Sequence, residues 1–561
     1  MLIAIRHLLI ATLCFAASTC VGADSNPKVR STVIVVRPKE WVSALADWKK
    51  YRQAKYDVIE VDSRESAQQI RFDILKSLAR ATSPVKSVLL CGDVAVAANP
   101  TSNNDKASSQ GANRDLVTLL PTFEIPTVVK LGPYTTPTLA TDIFYGDIDD
   151  DLCPDLSIGR LPAKNAGDLK RMLARSIEYE TSQSYGPWRN RIHATAGVGG
   201  FGVLADTAIE SVTRRILSEG IPDRFQLQMT YASLSSAYCP DPKQLTNSFI
   251  GKLNQGGLFW VYIGHGNVHH LDDFSVGNET LPICNGEHIA QFDIQDGLPV
   301  AIMLACFTGA FDAKIDCFAE MLLANNQGPI AVIAGSRVTM PYGLSQFSTE
   351  LMDGCFVDRT ETLGEIVLNA KRKVWRAESV NTNHAIAGNA SLRSRQNALI
   401  ENMATALSPE GHDLTEERRE HVRLMNLLGD PLLSIRHPTE LQIHCESKLE
   451  AGNTMLIQGR SPFPGKLRLE LALTRDRLPD GLRTIANFVG TPEQRQTMQE
   501  NYLKASELTV VGSEQTVGEG EFSVELLVPN ECRGRCVVRA IVYGSDDWAT
   551  GSQRVIVNRK R

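Results

Sequence analysis

A histidine and a cysteine each follow directly after a long apolar run of the chain. Leu258–Ile263 is followed by Gly264–Gly266, with His265 at the centre, and Val300–Ala305 is followed by Cys306. Such runs are typical of strands buried in a parallel sheet. Because ligands bind beyond the carboxyl ends of these strands, two neighbouring strands would present an imidazole and a thiol at one edge. A histidine shifts a nearby thiol toward the thiolate, which attacks carbonyl carbon.

Backbone groups around these two residues suit the same chemistry. The glycines beside His265 let the backbone approach a substrate closely. The N–H groups of Gly266 and Cys306 are the candidates for binding an oxyanion that develops during attack. Each residue alone has an ordinary explanation, because a cysteine at the end of an apolar strand is most often a buried core residue. Their matched positions favour the catalytic interpretation over this explanation.

Four other residues compete for the two roles. The rival histidines lack flanking glycines, and the rival cysteines do not directly follow a long apolar run. The rivals are His269, His270, Cys284 and Cys317.

A glycine turn suggests a different function. Gly197–Gly202 matches the G-x-G-x-x-G pattern between a predicted strand and a predicted helix, as a dinucleotide site requires. That site also needs an acid at the end of the next strand, where Tyr231–Ser233 stands here. We therefore interpret the glycines as a tight structural turn and expect no organic cofactor.

The elements that must position these residues alternate between strand and helix. Short apolar runs separated by helical patterns predict a mostly parallel α/β sheet, covered on both faces by helices. A helical pattern over Glu416–Leu428 comes near the end of this series. The expected strands are Thr32–Val36, Val58–Val61, Ser87–Cys91, Ile192–Ala196, Phe225–Tyr231, Leu258–Ile263, Val300–Ala305 and Ile330–Ala334.

The pattern changes after Pro438, where short β-like runs are separated by glycine and proline, with no long helix. This arrangement is typical of an immunoglobulin-like β-sandwich. We therefore expect an N-terminal α/β subdomain over 32–186, a second α/β subdomain over 187–437 and the sandwich over 438–561.

The beginning of the chain reads as a secretory signal over residues 1–23. Arg6 and His7 precede the apolar stretch Leu8–Ser18, which is too short to span a bilayer, and small residues follow at Val21–Ala23. We expect an exported protein without a transmembrane segment in its mature chain. The 561 residues carry 58 basic and 64 acidic side chains, a net charge of −6, and no basic stripe, which argues against nucleic-acid binding.

An acidic loop offers a second kind of chemistry. Asp147, Asp149, Asp151 and Asp155 place carboxylates at alternate positions, a spacing that suits a hard cation such as Ca²⁺. The glycine that an EF-hand has at its sixth position is replaced by Leu152. The sequence thus predicts a structural calcium site here, with a solvated acidic turn as the alternative.

The blocks around His265 and Cys306 resemble those of a known family. Gly264–Gly266 and Ala305–Gly309 resemble the two catalytic blocks of the gingipain-type cysteine peptidases, which have a caspase-like fold. Asp142–Asp147 and Asp155–Arg160 resemble the family's block before the histidine, and Asn426–Pro431 resembles the block that closes its catalytic domain. The resemblance covers most of residues 32–436.

The resemblance implies an exported cysteine endopeptidase acting on protein or peptide substrates, with residues 187–437 as its caspase-like catalytic subdomain. Cys306 is then the nucleophile and His265 the acid and base, while the family's orienting carboxylate falls on Asp155. Asp155 therefore has two competing roles, orienting His265 or binding metal. The gingipains cleave after basic residues, and the sequence does not choose a partner for such residues among Asp168, Asp272 and Asp273.

The alternative is a non-catalytic cell-surface or secreted binding protein on the same scaffold. The reactivity of Cys306 separates the two, because a catalytic thiol is partly exposed and a structural one is inert.

Overall fold

The computed structural model describes residues 30–94, 96–97, 116–130, 135–199, 220–377, 392–408, 411–485 and 487–559. The predicted signal at residues 1–23 and the second half of the glycine turn, residues 200–202, lie outside these ranges. Among the described residues, no helix is both long and apolar enough to cross a membrane.

The α/β part of the chain begins at the first described residues and ends before Pro438. Every strand expected from the sequence there is present, with ends that differ by one or two residues. Its strands are β1 (Ser31–Arg37), β2 (Tyr56–Asp62), β3 (Val85–Cys91), β4 (Val96–Ala97), β5 (Leu116–Val117), β6 (Phe123–Pro126), β7 (Thr138–Thr141), β8 (Ser157–Leu161), β9 (Arg191–Ala196), β10 (Gln226–Tyr231), β11 (Phe259–Ile263), β12 (Asp273–Val276), β13 (Glu279–Pro282), β14 (Val300–Leu304), β15 (Ala331–Gly335) and β16 (Met425–Leu428).

Helices connect these strands. They are α1 (Ala46–Arg52), α2 (Ala67–Leu78), α3 (Ala166–Thr181), α4 (Leu245–Leu253), α5 (Gly286–Ile289), α6 (Phe318–Ala324), α7 (Pro341–Phe356), α8 (Leu363–Arg376), α9 (Leu392–Leu407) and α10 (Leu414–Leu424).

Ten of the described strands form one sheet in the order β10-β9-β11-β14-β15-β16-β8-β3-β1-β2. All neighbours are parallel except β15 and β16. The sheet therefore consists of two oppositely directed halves. We call β10, β9, β11, β14 and β15 the His–Cys half, and β16, β8, β3, β1 and β2 the ion-pair half. The predicted mostly parallel α/β architecture is confirmed.

Apolar side chains cover both faces of this sheet, which explains why its strands read as unbroken apolar runs. All five residues of β14 are fully buried. One face forms a core across both halves, with Val33, Leu89, Trp260 and Met303 among its members. The opposite face carries one core in each half of the sheet.

The predicted helix over Glu416–Leu428 is wrong at its end. The helix α10 stops at Leu424, and Met425–Leu428 forms β16, which joins the two halves by pairing with β15 and β8. Four apolar residues are too few to distinguish a buried strand from the last turn of a helix.

The C-terminal part is a β-sandwich, as expected. In the described residues, β17, β25, β24, β21, β22 and β19 form one sheet, and β18, β20 and β23 form another, around a shared core. The strands are β17 (Thr439–Glu440), β18 (Ile443–His444), β19 (Lys448–Glu450), β20 (Thr454–Ser461), β21 (Gly465–Leu473), β22 (Thr509–Val517), β23 (Gly520–Leu527), β24 (Gly534–Tyr543) and β25 (Trp548–Asn558).

The expectation that this part has no long helix is wrong. Helix α11 (Pro492–Ser506) begins after Thr491, whose side chain accepts the Gln494 N–H. It buries only Met498, Tyr502 and Ala505, so its apolar stripe is too thin to stand out in a polar sequence. The Tyr502 hydroxyl lies 2.9 Å from that of Thr230, and the helix thus packs against the edge of the large sheet.

Candidate active site

His265 and Cys306 occupy equivalent positions beyond two neighbouring strands. Ile263 of β11 is paired in parallel register with Leu304 of β14, so each candidate residue lies two positions past a paired residue. Neighbouring strands are about 4.8 Å apart. The Gly264 N–H still reaches the Leu304 carbonyl at 3.4 Å. The structure therefore brings the imidazole-bearing and thiol-bearing segments together at one edge of the sheet.

Gly266 allows the two segments to approach each other. A Cβ at this position would lie 2.7 Å from the Cys306 carbonyl oxygen and 2.9 Å from the Ala305 Cβ. Real Cβ atoms do not come this close, so only glycine fits. The sequence interpretation assigned the glycines to substrate approach, whereas here Gly266 makes room for the strand that carries Cys306.

Cys306 differs from the other described cysteines because it alone is only partly buried. Its Sγ accepts the Thr339 N–H at 3.3 Å, and the Thr339 hydroxyl lies 3.6 Å away. An N–H donor at the sulfur stabilises negative charge there. The rivals Cys284 and Cys317 are fully buried, and burial raises the pKa of both thiols above the ordinary value.

The residue after Cys306 has an unusual backbone. Phe307 adopts φ 57°, a left-handed conformation that costs a bulky residue about 1–3 kcal/mol. Its N–H donates to the Arg337 carbonyl at 3.1 Å, and the Arg337 guanidinium binds Asp312 at 2.8 Å. The Phe307 N–H is thus committed to the fold and is not an oxyanion donor. No pattern in the sequence signals this strained turn.

The loop that follows His265 is held by Tyr262 and Asp272. The buried Tyr262 hydroxyl donates to the His265 carbonyl at 2.8 Å and accepts the Asp272 N–H at 3.3 Å. The Asp272 carboxylate accepts the N–H groups of Val198 at 2.9 Å and Asp273 at 3.0 Å, and also that of His265. Asp272 is therefore the acid that the structure brings to His265.

Asp155 lies elsewhere, which corrects its expected role as the orienting carboxylate. It precedes β8, and in the described sheet β14, β15 and β16 lie between β8 and β11. Four strand spacings amount to about 19 Å, too far for a direct contact with His265. The Asp155 carboxylate instead accepts the Ile148 N–H at 2.9 Å and lies 3.5 Å from the Arg372 guanidinium.

The acidic loop brings three of its four predicted ligands together. One carboxylate oxygen each from Asp147, Asp149 and Asp151 lies within 4.8 Å of the others, and Asp155 is not part of this group. Asp147 is only 1 % exposed, and its Oδ1 has no hydrogen-bond partner among the described residues. Burial raises the pKa of Asp147. An uncompensated buried carboxylate oxygen is costly, and a hard cation satisfies it.

A cavity of about 620 Å³ opens beside the His265 loop. Its lining includes His269, His270, Glu287, Asp316 and Met321. A cavity of this size accommodates a large side chain of a ligand. His269 is held there by an Nδ1 contact of 3.1 Å with the Asp316 carbonyl. Both rival histidines thus line the cavity wall.

Comparisons with known proteins point to one family. The sequence profile described as peptidase family C25 matches residues 26–436. Gingipain R2 of Porphyromonas gingivalis is 24% identical over 324 residues, which is 55% of this chain and 37% of that protein. An uncharacterized protein of Archaeoglobus fulgidus is 26% identical over 219 residues, 36% of this chain and 51% of that protein. The chain thus spans about half or less of these relatives' length.

Among solved structures, the Arg-specific cysteine proteinase gingipain R is similar over 94% of this chain and 98% of its own, with a TM-score of 0.49 and 16% identity.

Proposed function

The chain belongs to peptidase family C25, and we propose on that premise that it is a cysteine endopeptidase using Cys306 and His265. The observation that carries this proposal is the parallel register of Ile263 with Leu304, which sets both residues at one height. The close packing of Gly266 against the Cys306 carbonyl supports it further.

The reaction begins with transfer of the Cys306 proton to the His265 ring. The thiolate attacks the scissile carbonyl carbon, and the N–H groups of Gly266 and Cys306 bind the oxyanion that forms. The His265 imidazolium then protonates the leaving amine, and the peptide bond breaks to leave a thioester on Cys306. His265 next takes a proton from water, the hydroxide attacks the thioester, and Cys306 recovers its proton as the acid product leaves.

The substrates in this proposal are proteins or peptides, and the site of action is outside the cytoplasm. Export is supported by the signal-like residues 1–23.

We also propose that the acidic loop binds structural Ca²⁺ through Asp147, Asp149 and Asp151. The unpartnered, buried Oδ1 of Asp147 supports this proposal, because a cation would compensate it. Asp155 contributes indirectly, by holding the Ile148 N–H of the same loop.

Labelling with a thiol-directed peptidyl electrophile tests the peptidase proposal. We expect selective modification of Cys306, mapped by peptide mass, and its loss in His265→Ala. The exposed His444 in the sandwich provides a matched control, and His444→Ala should label like the wild type.

Slow and equal labelling of several cysteines, also after limited proteolytic nicking, would contradict the proposal. That result would favour a binding protein on the same scaffold.

A further inference from the structure

Asp272 contacts the segment that follows β9, which pairs with β11 on the side opposite to β14. Its carboxylate is fixed to the Val198 N–H, and Val198 follows β9, whereas His265 follows β11 and Cys306 follows β14. These three strands are neighbours in that order. An acid, an imidazole and a thiol are therefore arranged in sequence across one edge of the sheet.

We propose that Asp272 is the positioning residue for His265, holding its loop and stabilising the imidazolium that forms when Cys306 loses its proton. This inference rests on the proposed peptidase function. The proton moves from the Cys306 Sγ to the His265 ring, and the Asp272 carboxylate stays ionised throughout. Its negative charge acts on the imidazolium, whereas the thiolate forms on the opposite side.

The local fold holds this carboxylate firmly. Three backbone N–H groups donate to it, including that of His265. Gly197 leaves the necessary space, because a Cβ there would lie 3.1 Å from Oδ2 and 2.6 Å from the Tyr262 hydroxyl.

The electrostatic surroundings of Asp272 agree with this role. Burial raises its pKa above the ordinary value, and the facing His265 charge and the N–H donors offset part of that effect. The titratable groups that face it in the described residues are His265, the adjacent Asp273 and Tyr262. Burial raises the pKa of Tyr262 well above its usual range, so the phenol stays neutral.

The pH dependence of Cys306 alkylation by iodoacetamide tests the inference without any known substrate. Loss of the Asp272 charge should destabilise the imidazolium, so the acidic limb of the profile should move to higher pH in Asp272→Asn. At pH 6 we expect a rate about tenfold lower than in the wild type, which corresponds to a shift of the acidic limb by about one pH unit.

Asp241→Asn is the matched control. The Asp241 carboxylate also accepts a backbone N–H, that of Lys243 at 3.2 Å, and faces a cation, Arg495 at 3.8 Å. It should keep the wild-type profile. Asp272→Glu retains the negative charge, so the acidic limb of its profile should stay close to that of the wild type. This variant keeps the inference testable if Asp272→Asn does not fold.

Peptide hydrolysis provides a second readout. We expect kcat to fall by about 10–100-fold in Asp272→Asn, with KM changed less than about twofold, because the residue acts on the chemical step. A merely structural role would instead change the unfolding midpoint and leave the pH profile in place.

The outcomes separate the two proposals. Cys306 reactivity that depends on His265 but not on Asp272 overturns this inference alone. A shifted acidic limb in Asp272→Glu overturns it as well. Reactivity that does not change in His265→Ala overturns the peptidase proposal and this inference together.

Discussion

The two halves of the large sheet differ in the exposure of two sets of polar side chains. In the ion-pair half, the buried Arg160 binds Asp142 through two contacts of 2.7 Å and donates to the carbonyls of Gly92 and Leu120. In the His–Cys half, His265 and Cys306 are both partly exposed at the sheet edge.

Buried charges elsewhere in the ion-pair half follow the same rule. Arg52 binds Asp430 at 2.7 Å and Glu180 at 2.8 Å, and Asp430 also accepts the Trp48 indole N–H at 2.7 Å. Buried groups that are paired internally hold the fold, because little of their binding capacity remains for a ligand. Groups with partial exposure keep the capacity to react.

The largest expected effect follows from removing the thiol of the His–Cys half. Cys306→Ala should lower peptide hydrolysis by at least about 10³-fold, because the nucleophile is absent. The unfolding midpoint should change little, since Cys306 is only partly buried. Hydrolysis of a fluorogenic peptide library and a denaturant titration measure the two effects.

Cys284→Ala is the control for this change, because Cys284 is fully buried. It should retain activity and lose some stability. Retention of activity in Cys306→Ala would mean that the chemical distinction between the halves is wrong.

The next largest effect is on stability in the ion-pair half. Arg160→Met should lower the free energy of unfolding by about 3–5 kcal/mol, because it leaves the Asp142 carboxylate buried without its cation. Urea unfolding followed by circular dichroism measures the loss. The double variant Arg160→Met with Asp142→Leu should recover most of it, since both charges are then removed.

An exposed pair in the same half shows whether burial causes the effect. Arg64 and Asp73 lie 2.9 Å apart with the Arg64 side chain 52% exposed. Arg64→Met should cost at most about 1 kcal/mol. Equal losses in Arg64→Met and Arg160→Met would remove the basis of the comparison.

The sequence predicted the His–Cys half more fully than the ion-pair half. Its strands are unbroken apolar runs followed by chemically distinctive residues, so both the elements and the His265–Cys306 edge could be read locally. The pairing of β15 with β16 could not be predicted from the local sequence, because Met425–Leu428 is short and directly follows the end of helix α10. The reversal of direction between the halves depends on that one strand.

The acid that the structure brings to His265 was harder to predict than His265 and Cys306. Asp155 precedes a motif with a family resemblance, but its distance from His265 depends on the order of strands β11, β14, β15, β16 and β8. Asp272 is seven residues from His265, and the loop is folded back by the bridge between Gly266 and Leu271 and by the Tyr262 hydroxyl. No local pattern in the sequence predicts that this loop folds back and brings Asp272 to His265.

Calcium removal tests the acidic loop, which leads into β8 of the ion-pair half. Asp147 in this loop differs from the paired acids of that half, because its buried Oδ1 has no hydrogen-bond partner among the described residues. If Ca²⁺ binds the three carboxylates, it stabilises the folded state. At a Ca²⁺ concentration of 100 times Kd, its removal should lower the free energy of unfolding by about 2–3 kcal/mol. Thermal unfolding with Ca²⁺ and with excess EGTA measures this difference.

Asp149→Asn should reduce the effect of EGTA, because one ligand charge is lost. The exposed Asp150 is the control, since its carboxylate binds Arg71 at 2.7 Å and it is not a member of the ligand group. Identical melting in Ca²⁺ and EGTA for the wild type would refute the calcium site.

The smallest expected effect concerns a contact between the two halves. Asp93 follows β3 of the ion-pair half. Glu320 belongs to α6, the helix that connects β14 and β15 of the His–Cys half, and both residues are buried. Burial and the facing Asp93 raise the pKa of Glu320 well above its ordinary value, and burial raises that of Asp93. We therefore expect the pair to share a proton, with the Glu320 carboxyl donating to Asp93.

A raised pKa in the folded state means that this contact stabilises the protein fully below the ordinary pKa of glutamate. The stabilisation is lost as pH rises through the folded pKa of Glu320. Glu320→Gln imitates the protonated form, with its amide donating to Asp93 and its carbonyl accepting the Cys317 N–H now bound at 2.7 Å. The variant should match the wild type near pH 4 and exceed its stability by about 1 kcal/mol at pH 8.

Urea midpoints measured at both pH values check this sign. Glu287→Gln, on the exposed surface of the neighbouring helix α5, should change neither midpoint. If Glu320→Gln is instead less stable than the wild type at pH 8, the carboxylate must be ionised and paired in the folded state. The junction between the halves would then resemble Asp142 and Asp430, buried acids that are each paired with an arginine, rather than using a shared proton.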